Sequence, residues 1–191
     1  MPVSVVILAA GSSSRMGQSK QLLPWSGETL LAHTINTAVG SRAGHVYVVL
    51  GSKETAHRKA IEKLPVNIIS NPRWENGMGS SLKAGVNEAK KNSEAILIMV
   101  CDQPFVTSQH LNNMIDHFET TGQQIIASKY LDVVGVPALF SKELYEELLM
   151  IDDDEGARKV ISAHRSRLAV VYLKSGEDLD TPEDYQKALS N

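Results

Sequence analysis

A chain of 191 residues, 42% of them hydrophobic, can fill the core of one ordinary domain and is too apolar to be disordered throughout. Its 19 Lys+Arg against 22 Asp+Glu give a formal charge of -3, which excludes a dedicated nucleic-acid binder built on excess positive charge, and its one cysteine excludes a disulfide framework or a multi-cysteine metal site. No apolar run approaches the roughly 20 residues of a bilayer-spanning helix, and the apolar N-terminal run has no basic segment before it, so a cytoplasmic protein without membrane contacts is expected.

Val3–Leu8 opens the chain as a continuous apolar run, which reads as a buried strand. Gly11–Gln18 follows as an irregular turn, and Leu31, Ile35 and Val39 then recur at helical spacing. His45–Leu50 and Val66–Ser70 read as the next strands, and Asn71–Gly79 as a second irregular zone. Leu82, Val86 and Lys90 mark a helix before the strand Ala95–Cys101. Leu111, Ile115 and Phe118 form the next stripe, ahead of a strand at Gln124–Ser128 and an irregular zone at Asp132–Pro137. Leu144 and Leu148 mark another helix, followed by the strand Leu168–Leu173 and a loop over Lys174–Thr181. Thr181-Pro182-Glu183-Asp184 then supplies an N-cap, a first-turn proline and first-turn acids. Strands alternating with helices predict a single domain over 1–191. Its fold class is α/β, a three-layer, doubly wound, mostly parallel sheet.

In such sheets ligands bind beyond the carboxyl ends of strands. The turn after the first strand, Leu8-Ala9-Ala10-Gly11-Ser12-Ser13-Ser14-Arg15-Met16-Gly17-Gln18-Ser19-Lys20, has the small residues that let backbone approach a ligand and amides converge on phosphate oxygens. Arg15 adds a planar fork of donors and Lys20 a mobile positive charge. The spacing matches neither the Walker A loop nor G-x-G-x-x-G. A plain flexible turn with two solvated cations is the alternative, and the pair of cations within one short turn favours phosphate binding.

Asp102-Gln103-Pro104 ends the strand Ala95–Cys101. A carboxylate at the mouth of an apolar strand needs a partner, either a divalent cation or the amides of a following turn. Asp178 and Asp180 fall on one side of an extended segment and offer a second acid, or a cap for the last helix. Asp152–Glu155 reads on charge alone as a solvated loop or helix N-terminus. Asn71–Leu82 carries Gly77, Gly79, Ser80 and Ser81, which suit either a ligand-facing turn or a capped connection, and Trp74 could wall a ligand or join the core. Cys101 reads as a buried small hydrophobe. His33, His57, His110, His117 and His164 lie in helical patterns without metal-ligand spacing, so surface positions are expected.

Leu8-Ala9-Ala10-Gly11 through Arg15-Met16-Gly17 and Lys20 resembles the L-A-[AG]-G-x-S-x-R-M-G-x-x-K motif of the MobA-like nucleotidyltransferases. Asn71–Ser81, Asp102-Gln103-Pro104, Gly135-Val136-Pro137, Glu155-Gly156-Ala157-Arg158 and Asp178–Asp184 resemble further landmarks in the same order, so the resemblance spans nearly the whole chain. It implies a GT-A-like, Rossmann-like fold and Mg²⁺-dependent nucleotidyl transfer. It also implies that Arg15, Lys20 and Asp102 are catalytic, and that Leu8, Ala9, Ala10, Gly11, Ser12, Arg15, Lys20, Asn71, Gly77, Met78 and Ser81 bind nucleotide. Asp102 with Asp178 or Asp180 would hold metal, and Gln103, Pro104, Gly135, Val136 and Pro137 would border the acceptor.

Ala10 in L-A-A-G and the Asp-Leu-Asp-Thr-Pro-Glu-Asp ending are similar to the molybdenum cofactor cytidylyltransferase branch. That similarity implies CTP as donor (with GTP the alternative), a molybdopterin-type acceptor, and service to a molybdenum hydroxylase. Alternatives are a sugar-1-phosphate nucleotidyltransferase, an NAD(P)-dependent oxidoreductase and a non-catalytic nucleotide-binding partner of a molybdoenzyme.

Overall fold

In the computed structural model, which describes residues 2–190, the first apolar run forms strand β1 (Val3–Leu8), buried along its whole length. Its side chains alternate between two apolar layers: Val3, Val5 and Ile7 enter one, Val6 and Leu8 the other. A strand apolar on both faces requires helices on both sides. β1 pairs in parallel with β4 (His45–Leu50) and with β6 (Ala95–Val100), and β4 pairs in parallel with β5 (Asn67–Ser70). On the other flank β8 (Val133–Ser141) runs antiparallel to β6 and to β7 (Ile125–Tyr130), and β9 (Leu168–Tyr172) lies parallel to β7. The order is β5-β4-β1-β6-β8-β7-β9, a mostly parallel sheet with one reversed strand.

Helices α1 (Leu30–Val39), α2 (Glu54–Ile61) and α4 (Ser108–Thr121) cover one face, and α3 (Met78–Ala89), α5 (Tyr145–Met150) and α6 (Arg158–Ala163) the other. The expected stripes Leu31–Ile35, Leu82–Val86 and Leu111–Ile115–Phe118 are buried, whereas Val39 is exposed and Ala38 takes its place in the core. A small satellite core joins Trp25 of a hairpin, β2 (Pro24–Trp25) with β3 (Glu28–Thr29), to Leu30, Leu179 and Ala188 of α7 (Pro182–Leu189). α7 starts on the predicted cap: Thr181 accepts from the Asp184 amide, and Asp184 accepts from the Thr181 amide. No helix among the described residues is long and apolar enough to cross a membrane.

The segment expected to be irregular, Asp132–Pro137, instead belongs largely to β8. Gly135 and Pro137 hide it, because both are poor strand residues. The strand accommodates them at a bulge, where the register shifts between Ala127 and Ser128. Val136 and Pro137 have no opposite residue there, and the Pro137 carbonyl is taken by the Ser128 hydroxyl at 2.7 Å.

That hydroxyl accepts in turn from His110 Nε2 at 2.8 Å. His110 and His57, expected on the surface, are buried at 5% and 1% exposure. Burial lowers the His110 imidazole to about 4, so it is neutral at pH 7. The unfolded chain therefore takes up the proton first as pH falls. Stability present above pH ~6.5 should drop by about 3 kcal/mol as pH falls through 4. Urea titrations between pH 7 and 4 should show this decline, and it should be shallower in His110→Gln; identical slopes in both proteins would contradict it.

Candidate functional site

Leu8 and Val100 are register partners at the carboxyl ends of β1 and β6. The turns that follow them, one carrying the glycine loop and the other Asp102, therefore leave the sheet side by side, where the strand order reverses direction. They open onto a cleft of about 500 Å³ lined by Leu8 to Arg15, Lys20, Gln21, Trp74, Glu75, Gly77, Met78, Ser81, Val100 to Asp102, Asp178 and Asp180.

The loop's carbonyls are turned into the protein. Ala10 O accepts from the Ser52 amide at 2.9 Å, and Ala9 O and Gly11 O accept from Gln21 Nε2 at 3.1 and 2.8 Å. Among the described residues, no acceptor is found for the amides of Gly11, Ser12 and Ser13. Exposed, unpaired N–H groups on successive residues form a concave anion-binding surface. Ser13 takes a left-handed backbone at φ 58, and a short 3₁₀ turn, Ser14–Met16, then presents Arg15, whose side chain is 73% exposed.

Lys20 follows at the start of a second 3₁₀ turn. Its ammonium sits 2.7 Å from Asp102 Oδ2 and 3.0 Å from Asp180 Oδ1, while Arg15 reaches Asp180 Oδ2 at 2.8 Å. Burial alone would lower the Lys20 pKa, but the two carboxylates outweigh it and hold the group above its ordinary value. Lys20 therefore remains a cation. Asp178 lies close enough to Asp102 to be affected by it. Partial burial and that neighbouring charge raise the Asp178 carboxyl, against the opposing hydrogen bond from Gln103 Nε2 at 2.8 Å.

The three predicted acids are thus brought to one cleft but do not form a ready-made cage. Among the described residues no group of three His, Cys, Asp or Glu side chains could hold a metal ion alone. The donor set nevertheless fits a hard cation that also takes phosphate oxygens, because Asp102 Oδ1 is buried without a partner beside two further carboxylates. Cys101 is buried with its thiol raised to about 12, which removes it as a nucleophile.

Gly77, Met78 and Ser81 line the cleft, and Trp74 both lines it and packs on the core. Asn71 does not line it. Asn71 is 4% exposed and spends its amide on Ser80 Oγ and Ser81 Oγ, at 2.9 and 3.0 Å, which ties the loop to α3. Gln103 is likewise buried and committed to Asp178, and the Pro104 carbonyl accepts from His33 Nε2 at 3.0 Å. Gly135, Val136 and Pro137 lie in β8, outside the cleft lining. Asp152–Glu155 does more than solvate: the Asp153 carbonyl accepts from the Gly79 and Ser80 amides at the start of α3, and its carboxylate pairs with Lys83. Gly77, at φ 124, leaves no room for a Cβ, which would lie 2.5 Å from the Asp153 carbonyl oxygen. The residue that sequence reasoning missed is Gln21, an uncharged neighbour of Lys20 whose one signal is its place in the loop.

A family model described as a MobA-like NTP transferase domain matches residues 5–168. Over 98% of its length the chain is 37% identical to the nicotine blue oxidoreductase of Paenarthrobacter nicotinovorans, covering 96% of that protein. It is 34% identical over 94% of its length to the purine catabolism protein PucB of Bacillus subtilis, covering 92% of it. The molybdenum cofactor cytidylyltransferase of Escherichia coli is 26% identical over 96% of the chain and 93% of that enzyme. Among solved structures, Rv0371c of Mycobacterium tuberculosis superposes with a TM-score of 0.88 at 27% identity, covering 100% of this chain and 99% of that one. Its manganese complex gives 0.86 at 26%, with 100% of both chains covered.

Burying Asp178 beside Asp102 has a cost to stability in the absence of ligand. A carboxyl raised by folding is less stable ionised in the native chain than in the unfolded one, so Asp178 opposes folding at neutral pH and ceases to do so below its ordinary range. Asp178→Asn should raise Tm at pH 7 in ligand-free buffer, and the gain should vanish below pH ~4. A Tm at or below that of the unaltered protein at pH 7 would contradict the assignment.

Proposed function

Because the chain belongs to the MobA-like NTP transferase family, and so to the nucleotidyltransferases, we propose that it transfers CMP from CTP to a molybdopterin-type acceptor and releases pyrophosphate. The observation that carries the reading is the row of unpaired amides at Gly11, Ser12 and Ser13 beside Arg15 and Lys20 in one cleft. Those groups would take the β- and γ-phosphates of the donor. The base and ribose would lie against Leu8 to Gly11 and the Gly77–Met78 corner. An oxygen of the acceptor's phosphate would attack the α-phosphorus, the α–β phosphoanhydride bond would break, and pyrophosphate would leave with the electron pair.

The protein supplies no nucleophile in this scheme. It supplies position and positive charge where negative charge accumulates. Arg15 and Lys20 would follow the charge onto the leaving pyrophosphate. Asp102, with Asp178 or Asp180, would hold a divalent cation, Mg²⁺ in this reading. When bound, that ion contributes Lewis-acid polarisation of the phosphate oxygens. The manganese complex of Rv0371c supports a divalent cation in this fold. The choice of CTP and molybdopterin is supported by Ala10, by the Asp178–Asp184 sequence and by similarity to the E. coli cytidylyltransferase. The reaction would take place in the cytoplasm, and its product would mature a molybdenum hydroxylase.

The 37% identity to a protein named an oxidoreductase favours a second reading, hydride transfer with a nicotinamide cofactor. An absorbance change of the nicotinamide in place of pyrophosphate release would select it.

An NTP panel with Mg²⁺ and molybdenum-loaded molybdopterin, read by pyrophosphate and dinucleotide product, tests the proposal. CTP should be used best; no product from any NTP would contradict nucleotidyl transfer. In the same assay Asp102→Ala should lower kcat by about 10²- to 10³-fold, about 3–4 kcal/mol of transition-state stabilisation. A kcat near that of the unaltered protein would remove Asp102 from the site. Arg15→Ala, at an exposed position, should leave the fold intact and raise the KM for CTP by about tenfold. Unchanged turnover at low CTP would contradict its phosphate role.

A further inference from the structure

Gln21 is 2% exposed, yet all four hydrogen-bonding positions of its amide are used. Its Nε2 donates to Ala9 O and Gly11 O, at 3.1 and 2.8 Å. Its Oε1 accepts from Ser13 Oγ at 3.1 Å and from Ser19 Oγ at 2.8 Å. The orientation is fixed by the partners, because a flipped amide would set its oxygen against two carbonyls. Ser13 Oγ also accepts from the Lys20 amide at 3.1 Å. One side chain therefore joins the start of the loop, its left-handed residue and the backbone of the lysine.

The grip on carbonyls has a consequence for the amides. In a trans peptide the C=O of one residue and the N–H of the next point in opposite directions. Holding Gly11 O inward turns the Ser12 N–H outward. Ser52, by holding Ala10 O, does the same for the Gly11 N–H. The anion-binding face of the loop is thus imposed from behind, by donors engaged on its carbonyls.

Gln21 is itself held from behind. Ser19 Oγ, which donates to Gln21, lies 2.7 Å from His57 Nε2 on α2. Ser19 has one hydrogen to give, so His57 must be the donor to it, through an Nε2–H. Burial and nearby Lys53 lower the His57 pKa, which favours the neutral ring. The relay runs from α2 through His57, Ser19 and Gln21 to the two loop carbonyls, and each hydroxyl and amide in it has a defined direction.

We propose that Gln21 is a positioning residue for the triphosphate: it orients the loop amides that receive phosphate oxygens, and Ser19 and His57 hold it in place. The inference rests on the nucleotidyl-transfer reading of the cleft and deepens it.

Calorimetric titration with inorganic tripolyphosphate and, separately, with CMP tests it. A loop whose amides are turned away loses the polyphosphate, while CMP keeps its contacts at the Gly77–Met78 corner; general damage weakens both ligands. Gln21→Glu replaces two donors by a carboxylate facing Ala9 O and Gly11 O. It should raise the Kd for tripolyphosphate by at least about tenfold and change that for CMP by less than about twofold. In the transfer assay it should raise the KM for the nucleotide with kcat at saturation largely kept. Ser19→Ala, which removes one donor to Gln21 and leaves the loop carbonyls their partner, should show the same asymmetry at about three- to fivefold, and it decides the matter if Gln21→Glu does not fold. Equal losses for both ligands, or no loss for either, would overturn the positioning role while leaving the transferase reading intact. Failure of the unaltered protein to bind tripolyphosphate would overturn both.

Discussion

One ammonium group between two carboxylates ties the site together. Lys20 stands after β1, Asp102 after β6 and Asp180 just before α7, three segments far apart in the chain. Without the lysine, Asp102, Asp178 and Asp180 would crowd a partly buried cleft with like charge, a costly arrangement. With it, Asp102 and Asp180 are bridged across the cleft, and the cost that remains appears at Asp178, whose carboxyl is raised by burial and by its neighbour Asp102. The cleft thus pairs ammonium with carboxylate where a nucleotidyl-transfer site needs cations for phosphate and carboxylates for a metal.

The sheet determines which segments meet. Because β1 and β6 are in register up to Leu8 and Val100, the glycine loop and the Asp102 turn must emerge together. Because β9 leads into the loop before α7, Asp178 and Asp180 come back to the same end. The Asp102 carbonyl accepts from the Leu179 amide at 2.8 Å, which sets the distance between the two acidic segments through backbone alone. On the opposite wall, the Asp153 carbonyl pins the start of α3 and so places Gly77 and Met78. The site is therefore made of loops, each fixed by hydrogen bonds to a rigid element.

Much of this was legible in the residues. Continuous apolar runs marked β1, β4 and β6, because strands covered on both faces leave no polar positions. Asp102 stood out because a carboxylate at the mouth of an apolar strand requires a partner, Arg15 and Lys20 because two cations share one short turn, and Asp178 and Asp180 because alternation puts them on one side. β8 was hidden by Gly135 and Pro137, whose accommodation depends on a bulge that the sequence does not announce. His57 and His110 were misplaced on the surface, although each had a signal. His57 stands four residues before buried Ile61, and His110 four before buried Met114, so both lie on the apolar stripes of their helices. Gln103 and Asn71 sit beside the site but turn their amides to protein partners, a distinction only packing reveals.

The family likeness covers relatives with different names, so it fixes the family and leaves the acceptor to be argued from the site. The central claim concerns the proposed phosphate-binding loop. A crystal structure of the protein with CTP and Mg²⁺ tests it most directly. The triphosphate should lie on the amides of Gly11, Ser12 and Ser13, with Arg15 and Lys20 on its terminal phosphates. A triphosphate bound away from that loop, with Lys20 still bridging Asp102 and Asp180, would contradict it.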